Sequence, residues 1–371
     1  MVKYLYSLCF ILFLYSCSEN EKEYKNLYLT TDTSDVYCFD LTKKQLLWHS
    51  KAENEYNNEL TFFTIKGDKL IKAYLDCNIV QFNKFNGKKE WELKDTISSQ
   101  HRYYDYDFDN IRYVMFSQYP AVYKDNIIFG NSKGEIKSVN PLTKKVNWIY
   151  QNPNPIITSP KILNNVLFIN LGYDVISLNL ENGKMISRIT FDKGIPNEVV
   201  FDEDKIYVVT EYGSVFCLNE NLEIVWEHKR PLEKLYINKN VFIHHNNLYF
   251  GNKVIIALNK TTGDLQWEHK LDNKDGENSL LSIDKYPDGI IVNTANSILK
   301  ISKSGKIIKE KKFHNKQLFG EILSSGKHYF YTTTDGNLYS IDEELEKEEI
   351  IYDKINLSTK KSFENTYMYA E

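Results

Sequence analysis

The densest run of side chains able to bind or react is His101-Arg102-Tyr103-Tyr104-Asp105-Tyr106-Asp107-Phe108-Asp109, followed by Arg112-Tyr113. Tyrosine and arginine anchor interfaces, since each offers a large face with a polar tip. Arg102, Tyr103, Tyr104, Tyr106, Phe108, Arg112 and Tyr113 therefore form a candidate binding loop. The same residue types also pack as a local core on a neighbouring element, and the residues themselves leave both readings open. Asp105, Asp107 and Asp109 copy the first ligands of a Ca²⁺ loop, but Asn110 stands where the turn needs Gly and Phe116 where the cation needs Glu. No metal is expected there. His244-His245 has no third ligand at metal spacing. No Gly-x-Ser-x-Gly, Walker loop or His-Glu-x-x-His occurs, so a non-catalytic protein is expected.

A second reactive group is the Cys17 thiol. Lys3 precedes an apolar stretch over residues 5–14, broken only by Ser7. Ten residues are too few to cross a bilayer, which takes about 20, so residues 1–16 read as a signal peptide. The stretch runs into Leu14-Tyr15-Ser16-Cys17, which resembles a bacterial lipobox. Acylation of Cys17 would anchor residues 17–26 as a polar tether, several acyl chains giving stable membrane attachment. Ser18 after the cysteine resembles outer-membrane sorting. The acidic run Ser18-Glu19-Asn20-Glu21-Lys22-Glu23 resembles surface-export signals, and a solvated tether reads the same way. Cys38, Cys77 and Cys217 sit in apolar runs and read as small buried hydrophobes. A Cys38–Cys77 disulfide is the alternative for the first two.

These groups need a frame, and composition bounds it. Of 371 residues, 42% are hydrophobic, 14% aromatic and 26% charged, which is enough apolar surface for a large core. The net charge of −4 argues against a nucleic-acid binder. The frame is a repeat: an apolar strand, a turn, a second apolar strand ending in Asp or Asn, a polar turn, then a strand carrying Trp. The anchor falls at Asp40, Asn83, Asn140, Asn179, Asn219, Asn259, Ser302 and Asp342, spaced by 43, 57, 39, 40, 40, 43 and 40 residues. The Trp position holds Trp48, Trp91, Trp148, Ser187, Trp226, Trp267, Lys309 and Ile350, so all five tryptophans share one phase. Units of this length with three or four strands predict an all-β, eight-bladed propeller over residues 27–371. Each indole is expected to cover a seam between consecutive blades. Gly87, Gly183, Gly263 and Gly305 mark tight turns four residues before the Trp position. The long gap places an insertion in residues 95–119. The first repeat lacks a leading strand, and the run Thr366-Tyr-Met-Tyr-Ala370 is expected to supply it and close the ring.

Read over residues 248–267, 126–148 and 70–91, the unit resembles the PQQ-like β-propeller repeat. Together with the lipobox and the blade number, the chain is similar to the BamB-type outer-membrane assembly lipoproteins. That resemblance implies a non-catalytic scaffold, held at the outer membrane on its periplasmic face, with the β-barrel assembly machinery as protein partner. The segments after Trp148 and Ser187 match none of that family's contact segments, so no partner-binding residue is carried over. Quinoprotein dehydrogenases share the repeat, but they resemble one another in an adjacent-cysteine pair and a Trp platform that this chain lacks. No PQQ or other cofactor is expected. A surface-exposed propeller binding a ligand or polymer is the alternative, and a quinone-dependent enzyme the third.

Overall fold

The computed structural model describes residues 23–31, 33–51, 63–74, 78–94, 103–104, 111–112, 120–131, 134–152, 159–192, 194–230, 241–271, 279–357 and 366–371. The described residues contain no helix. Eight four-stranded antiparallel sheets form the blades of a propeller. From the inner to the outer strand, blade 1 is Thr366–Ala370, Asn26–Thr31, Val36–Asp40 and Gln45–Ser50. Blade 2 is Phe63–Lys66, Lys69–Ala73, Asn78–Asn83 and Lys89–Lys94, and blade 3 is Ala121–Tyr123, Asn126–Gly130, Glu135–Asn140 and Lys145–Gln151. Blade 4 is Lys161–Leu163, Val166–Leu171, Asp174–Asn179 and Met185–Thr190, and blade 5 is Pro196–Asp202, Lys205–Thr210, Val215–Leu218 and Ile224–His228. Blade 6 is Phe242–His244, Asn247–Gly251, Val254–Asn259 and Leu265–Lys270. Blade 7 is Leu280–Tyr286, Gly289–Thr294, Ser297–Ser302 and Ile307–Lys312, and blade 8 is Leu318–Ser325, His328–Thr333, Leu338–Asp342 and Glu348–Tyr352.

The ring closes as its repeat phase predicts. Thr366–Ala370 pairs antiparallel with Asn26–Thr31, from Leu27 opposite Ala370 to Thr31 opposite Thr366. The last strand of the chain is thus the innermost strand of the first blade.

The core is divided among the seams. Leu248 and Phe250 pack between blades 5 and 6, whereas Tyr249 between them packs toward blade 7. Ile290 and Val292 likewise face blade 6 and Ile291 faces blade 8. Successive side chains of a strand point to opposite faces, and here both faces meet another blade. That is why the two middle strands of most blades are buried on both faces rather than alternately, as in Leu-Tyr-Phe of blade 6 and Val-Tyr-Cys-Phe of blade 1. The outer strands have one edge in solvent and alternate, as in Leu265–Lys270.

A register shift recurs between the third and outer strands of every blade, for example between Cys38 and Phe39 opposite Trp48 and between Ala257 and Leu258 opposite Trp267. Such a bulge bends the outer strand and re-aims its side chains. It leaves the residue before the Trp position facing solvent, as at Leu47, Ile186 and Val225.

Backbone hydrogen bonds knit each blade at both ends. On one end the inner hairpin turn meets the outer one, through Lys84 N to Asp68 O, Lys260 N to Asn246 O and Lys303 N to Asp288 O. This is the turn face. On the other end the residue leaving the outer strand meets the middle turn, through Phe191 N to Tyr173 O, Leu271 N to Lys253 O and Phe313 N to Asn296 O. All connections between blades leave from this connection face, which is therefore where the insertion after Lys94 departs and rejoins at Ala121.

Candidate functional site

The tryptophans join each blade to the next through one recurring contact. Trp48 Nε1 donates to Lys84 O at 2.9 Å, Trp148 to Leu180 O at 2.8 Å, Trp226 to Lys260 O at 3.2 Å and Trp267 to Lys303 O at 2.9 Å. Each acceptor follows the Asp/Asn/Ser anchor of the next blade by one residue. The ring then lies on the turn glycine of that next blade. A Cβ on Gly87, Gly183, Gly263 or Gly305 would come within 2.5–2.6 Å of the indole, and all four have positive φ. The glycines thus serve the preceding blade's ring as much as their own turn. Where the preceding blade lacks Trp, the same left-handed position carries a side chain. Leu222 faces the Ser187 blade and Leu345 the Lys309 blade, both buried in the seam cores. Lys44, opposite the Ile350 blade, pairs with Glu349. Trp91 departs from the scheme: it packs half-buried in the core between blades 2 and 3, and Lys144 occupies the turn position beyond it.

This geometry sets a first prediction. Gly183→Ala forces a side chain into left-handed backbone and against the Trp148 ring, and should destabilise the protein by about 2–4 kcal/mol. In a Trp148→Leu background the same change should cost only about 1 kcal/mol. Urea unfolding of the double-mutant cycle measures the coupling; equal costs in both backgrounds would show that the ring does not press on the turn.

The inner strands of blades 7, 8 and 1 are laced together by side chains the repeat pattern does not single out. Ser282 Oγ accepts from Ile322 N at 2.8 Å and donates to Asn293 Oδ1, while Asn293 Nδ2 donates to Gly320 O at 3.0 Å. Asp284 Oδ2 accepts from Ser324 N. A register shift between Phe319 and Ile322 bulges out Gly320 and Glu321, and Glu321 Oε2 accepts from Met368 N at 2.9 Å. Each carboxyl thereby satisfies a backbone N–H on the next inner strand, where an unpaired edge would otherwise remain. Both residues are half-buried. Desolvation pushes the Glu321 carboxyl up to about 8, and neighbouring Asp284 adds to it against the Met368 hydrogen bond. Asp284 is also pushed above the usual carboxylate range by burial.

On the connection face, Asp35 Oδ2 meets His49 Nε2 at 2.9 Å and accepts from Asn356 Nδ2 at 3.3 Å, tying blade 8 to blade 1. Lys72 of blade 2 is wholly buried and donates to Thr30 Oγ1, and burial holds its ammonium well below the usual lysine range, with Asp35 opposing. His244 and His245 each place Nε2 against a backbone carbonyl of the blade 7 turn, Tyr286 O and Pro287 O. Both histidines thus knit neighbouring turns. Cys38 and Cys217 are buried free thiols.

Of the candidate loop, Tyr103-Tyr104 and Ile111-Arg112 form a short antiparallel pair. Arg102, Tyr106, Phe108 and Tyr113 lie outside the described residues, as do Cys17 and Cys77. No helix among the described residues is long and apolar enough to cross a membrane. Sequence reasoning passed over Lys72, Asp284 and Glu321. Their signal was a charge set beside apolar strand residues, as in Leu-Ile-Lys72-Ala or Gly-Glu321-Ile-Leu.

No curated protein matches in sequence. Among solved structures, the computationally designed Ika8 protein superimposes with a TM-score of 0.66 at 11% identity, covering 87% of this chain and 97% of that one. BamB from Moraxella catarrhalis gives a TM-score of 0.59 at 13% identity, with 84% and 90% covered. The dihydro-heme d1 dehydrogenase NirN, in complex with DHE, gives 0.64 at 12% identity, with 93% and 75% covered. At these identities the likeness is one of fold, shared by a designed protein, an assembly factor and a dehydrogenase. The sequence itself matches a family model, described as outer membrane protein assembly factor BamB, over residues 23–164 and 162–348. These two spans reach into all eight blades, stopping at the outer strand of blade 8 and short of the closing strand, and the chain belongs to that PQQ_2 family of BamB-type propellers.

Proposed function

We propose that this propeller is a non-catalytic, lipid-anchored scaffold of outer-membrane protein assembly. Residues 1–16 act as a signal peptide, acylated Cys17 holds the chain to the outer membrane on its periplasmic face, and the propeller engages a protein partner of the β-barrel assembly machinery. The observation that carries this reading is the family match along residues 23–348. The geometry supports it: a rigid ring presents the one irregular insertion on its connection face, and long loops on rigid frames commonly carry binding. No bound quinone, metal or nucleic acid is required.

Capture from detergent-solubilised membranes tests it. The acylated chain should retain an outer-membrane assembly component. Replacing Tyr103, Tyr104 and Arg112 together by Ala should reduce capture about tenfold or more, with unchanged melting. Equal capture removes this loop from the interface, and no assembly component at all overturns the assignment. The acidic run after Cys17 favours a second reading, a surface-exposed lipoprotein that binds a ligand or polymer. Protease added to intact cells separates the two, since a periplasmic scaffold is shielded.

A further inference from the structure

We infer that the turn face of the propeller lies against the bilayer, with Phe85 and Leu142 as its interfacial anchors. This rests on the acylation of Cys17 proposed above for its orientation, and on the surface itself for its chemistry. The described chain begins at Glu23, which lies against Gly326 in the inner turn of blade 8. Tyr24 N donates to Ser325 Oγ at 2.8 Å, and the Tyr24 ring lies beneath the Lys285 ammonium at 5.3 Å. Leu41 N then donates to Lys25 O. All these contacts are on the turn face. Between Cys17 and Glu23 stand residues 18–22, and even fully extended this stretch spans only about 20 Å. An acyl group on Cys17 therefore cannot reach a membrane lying beyond the connection face, and the turn face is the end held near the lipid.

That face carries apolar tips on blades 2 and 3, the two blades that follow blade 1 round the ring. Phe85 and Leu142 are the most exposed large hydrophobic residues described, 62% and 76% accessible. They occupy the same place in successive blades, two residues after the anchors Asn83 and Asn140. The other blades carry Thr42, Glu181, Asn221, Thr261, Ser304 and Glu344 there. Such a turn is expected to be polar, and an aromatic and an aliphatic tip on neighbouring turns form a pair able to enter the headgroup region together. Exposed Lys66, Lys88, Lys144 and Lys145 surround them, against Asp68 and Asp125, so this sector is basic although the whole chain carries −4. Apolar tips ringed by lysines fit an anionic lipid surface. Lys84 pairs with Glu371 and also lies 5.1 Å from the Phe85 ring centre, which couples this turn to the closing strand beside the tether.

The test uses the full mature chain carrying Cys17→Ser, so that binding reports the surface alone. Vesicles of phosphatidylethanolamine with phosphatidylglycerol should sediment this protein several-fold better than phosphatidylcholine vesicles, and 0.5 M salt should weaken the difference. Phe85→Ser with Leu142→Ser should lower partitioning about tenfold. Ile186→Ser with Val225→Ser, a comparable loss of exposed apolar surface on the outer wall, should leave it unchanged. Equal partitioning of the Phe85/Leu142 variant overturns the proposal, as does a change in its self-association without a change in vesicle binding. The mass of the N-terminal peptide from cells reads acylation separately: an unmodified Cys17 refutes the anchor while leaving the vesicle result to judge the surface.

Discussion

A chain ending before Thr366 should melt about 5–8 °C lower than the full protein, the shift expected for losing about 5 kcal/mol from a chain of this size. The deleted strand carries more than its length suggests. It supplies the inner ladder of blade 1 from Leu27–Ala370 to Thr31–Thr366. Glu371 O accepts from both Lys25 N and Asn26 N, and Glu371 N donates to Asn26 O. Each of these bonds contributes about 0.5–1.5 kcal/mol net. Met368 and Ala370 are buried in the core shared by blades 8 and 1, adding about 2–3 kcal/mol. Removal also strips Glu321 of its Met368 N–H and leaves Asn26–Thr31 as an open edge at the ring's axis. The control is rescue: a synthetic peptide of residues 360–371 added to the truncated protein should restore much of the melting temperature. A truncated chain that melts like the full one would mean that the ring is held by the seams alone.

The architecture was legible in the sequence because packing repeats it. A ring that must lie on the next blade's turn forces Trp at one phase and Gly at another, so Trp148 and Gly183 mark their blades even where identity between repeats is low. The sequence placed each glycine in its own turn. That Gly183 answers to Trp148 of the preceding blade, and that Leu222 and Leu345 fill the position where the ring is missing, needs the seam in three dimensions. The closing strand was legible because the first repeat began one strand short. Sparse features were not legible. Glu321 shares its inner-strand place with Glu198 of blade 5, and the place of Asp284 holds Lys161 in blade 4, so no steady phase distinguishes them from surface charges. Phe85 and Leu142 read as ordinary apolar residues until the turns carrying them are seen to share an end with Tyr24. The insertion was found by its spacing, and its side chains lie outside the described residues.

Measured against Glu321→Gln, the protein should lose stability between pH 7 and pH 9. Glu321 in the folded ring binds its proton until about pH 8, whereas in the unfolded chain it releases it near the ordinary glutamate value of 4.5. Between those two values the folded state holds more protons than the unfolded one, so stability falls as pH rises. The contribution is complete below about pH 4.5 and gone once pH passes the folded value. Asp284, also raised, acts in the same direction. His228, whose pKa burial lowers, acts in the opposite direction: its contribution is lost as pH falls through the unfolded histidine value of 6.5. Starting at pH 7 leaves His228 largely neutral in both states. Lys72, lowered by burial, gains stability as pH rises, and the raised Cys38 and Cys217 thiols lose it, so Glu321 is read from the difference between wild type and variant. One proton bound differentially changes stability by at most about 1.4 kcal/mol per pH unit. A loss of about 1 kcal/mol relative to the variant is expected over the interval. Glutamine keeps an oxygen for Met368 N–H and cannot ionise, so the variant should match the wild type near pH 7 and exceed it at pH 9. Urea unfolding at both values decides it. Parallel profiles for the two proteins would place the ionisation elsewhere. A variant weaker than wild type at both values by the same margin would show that the hydrogen bond to the closing strand matters and the proton does not.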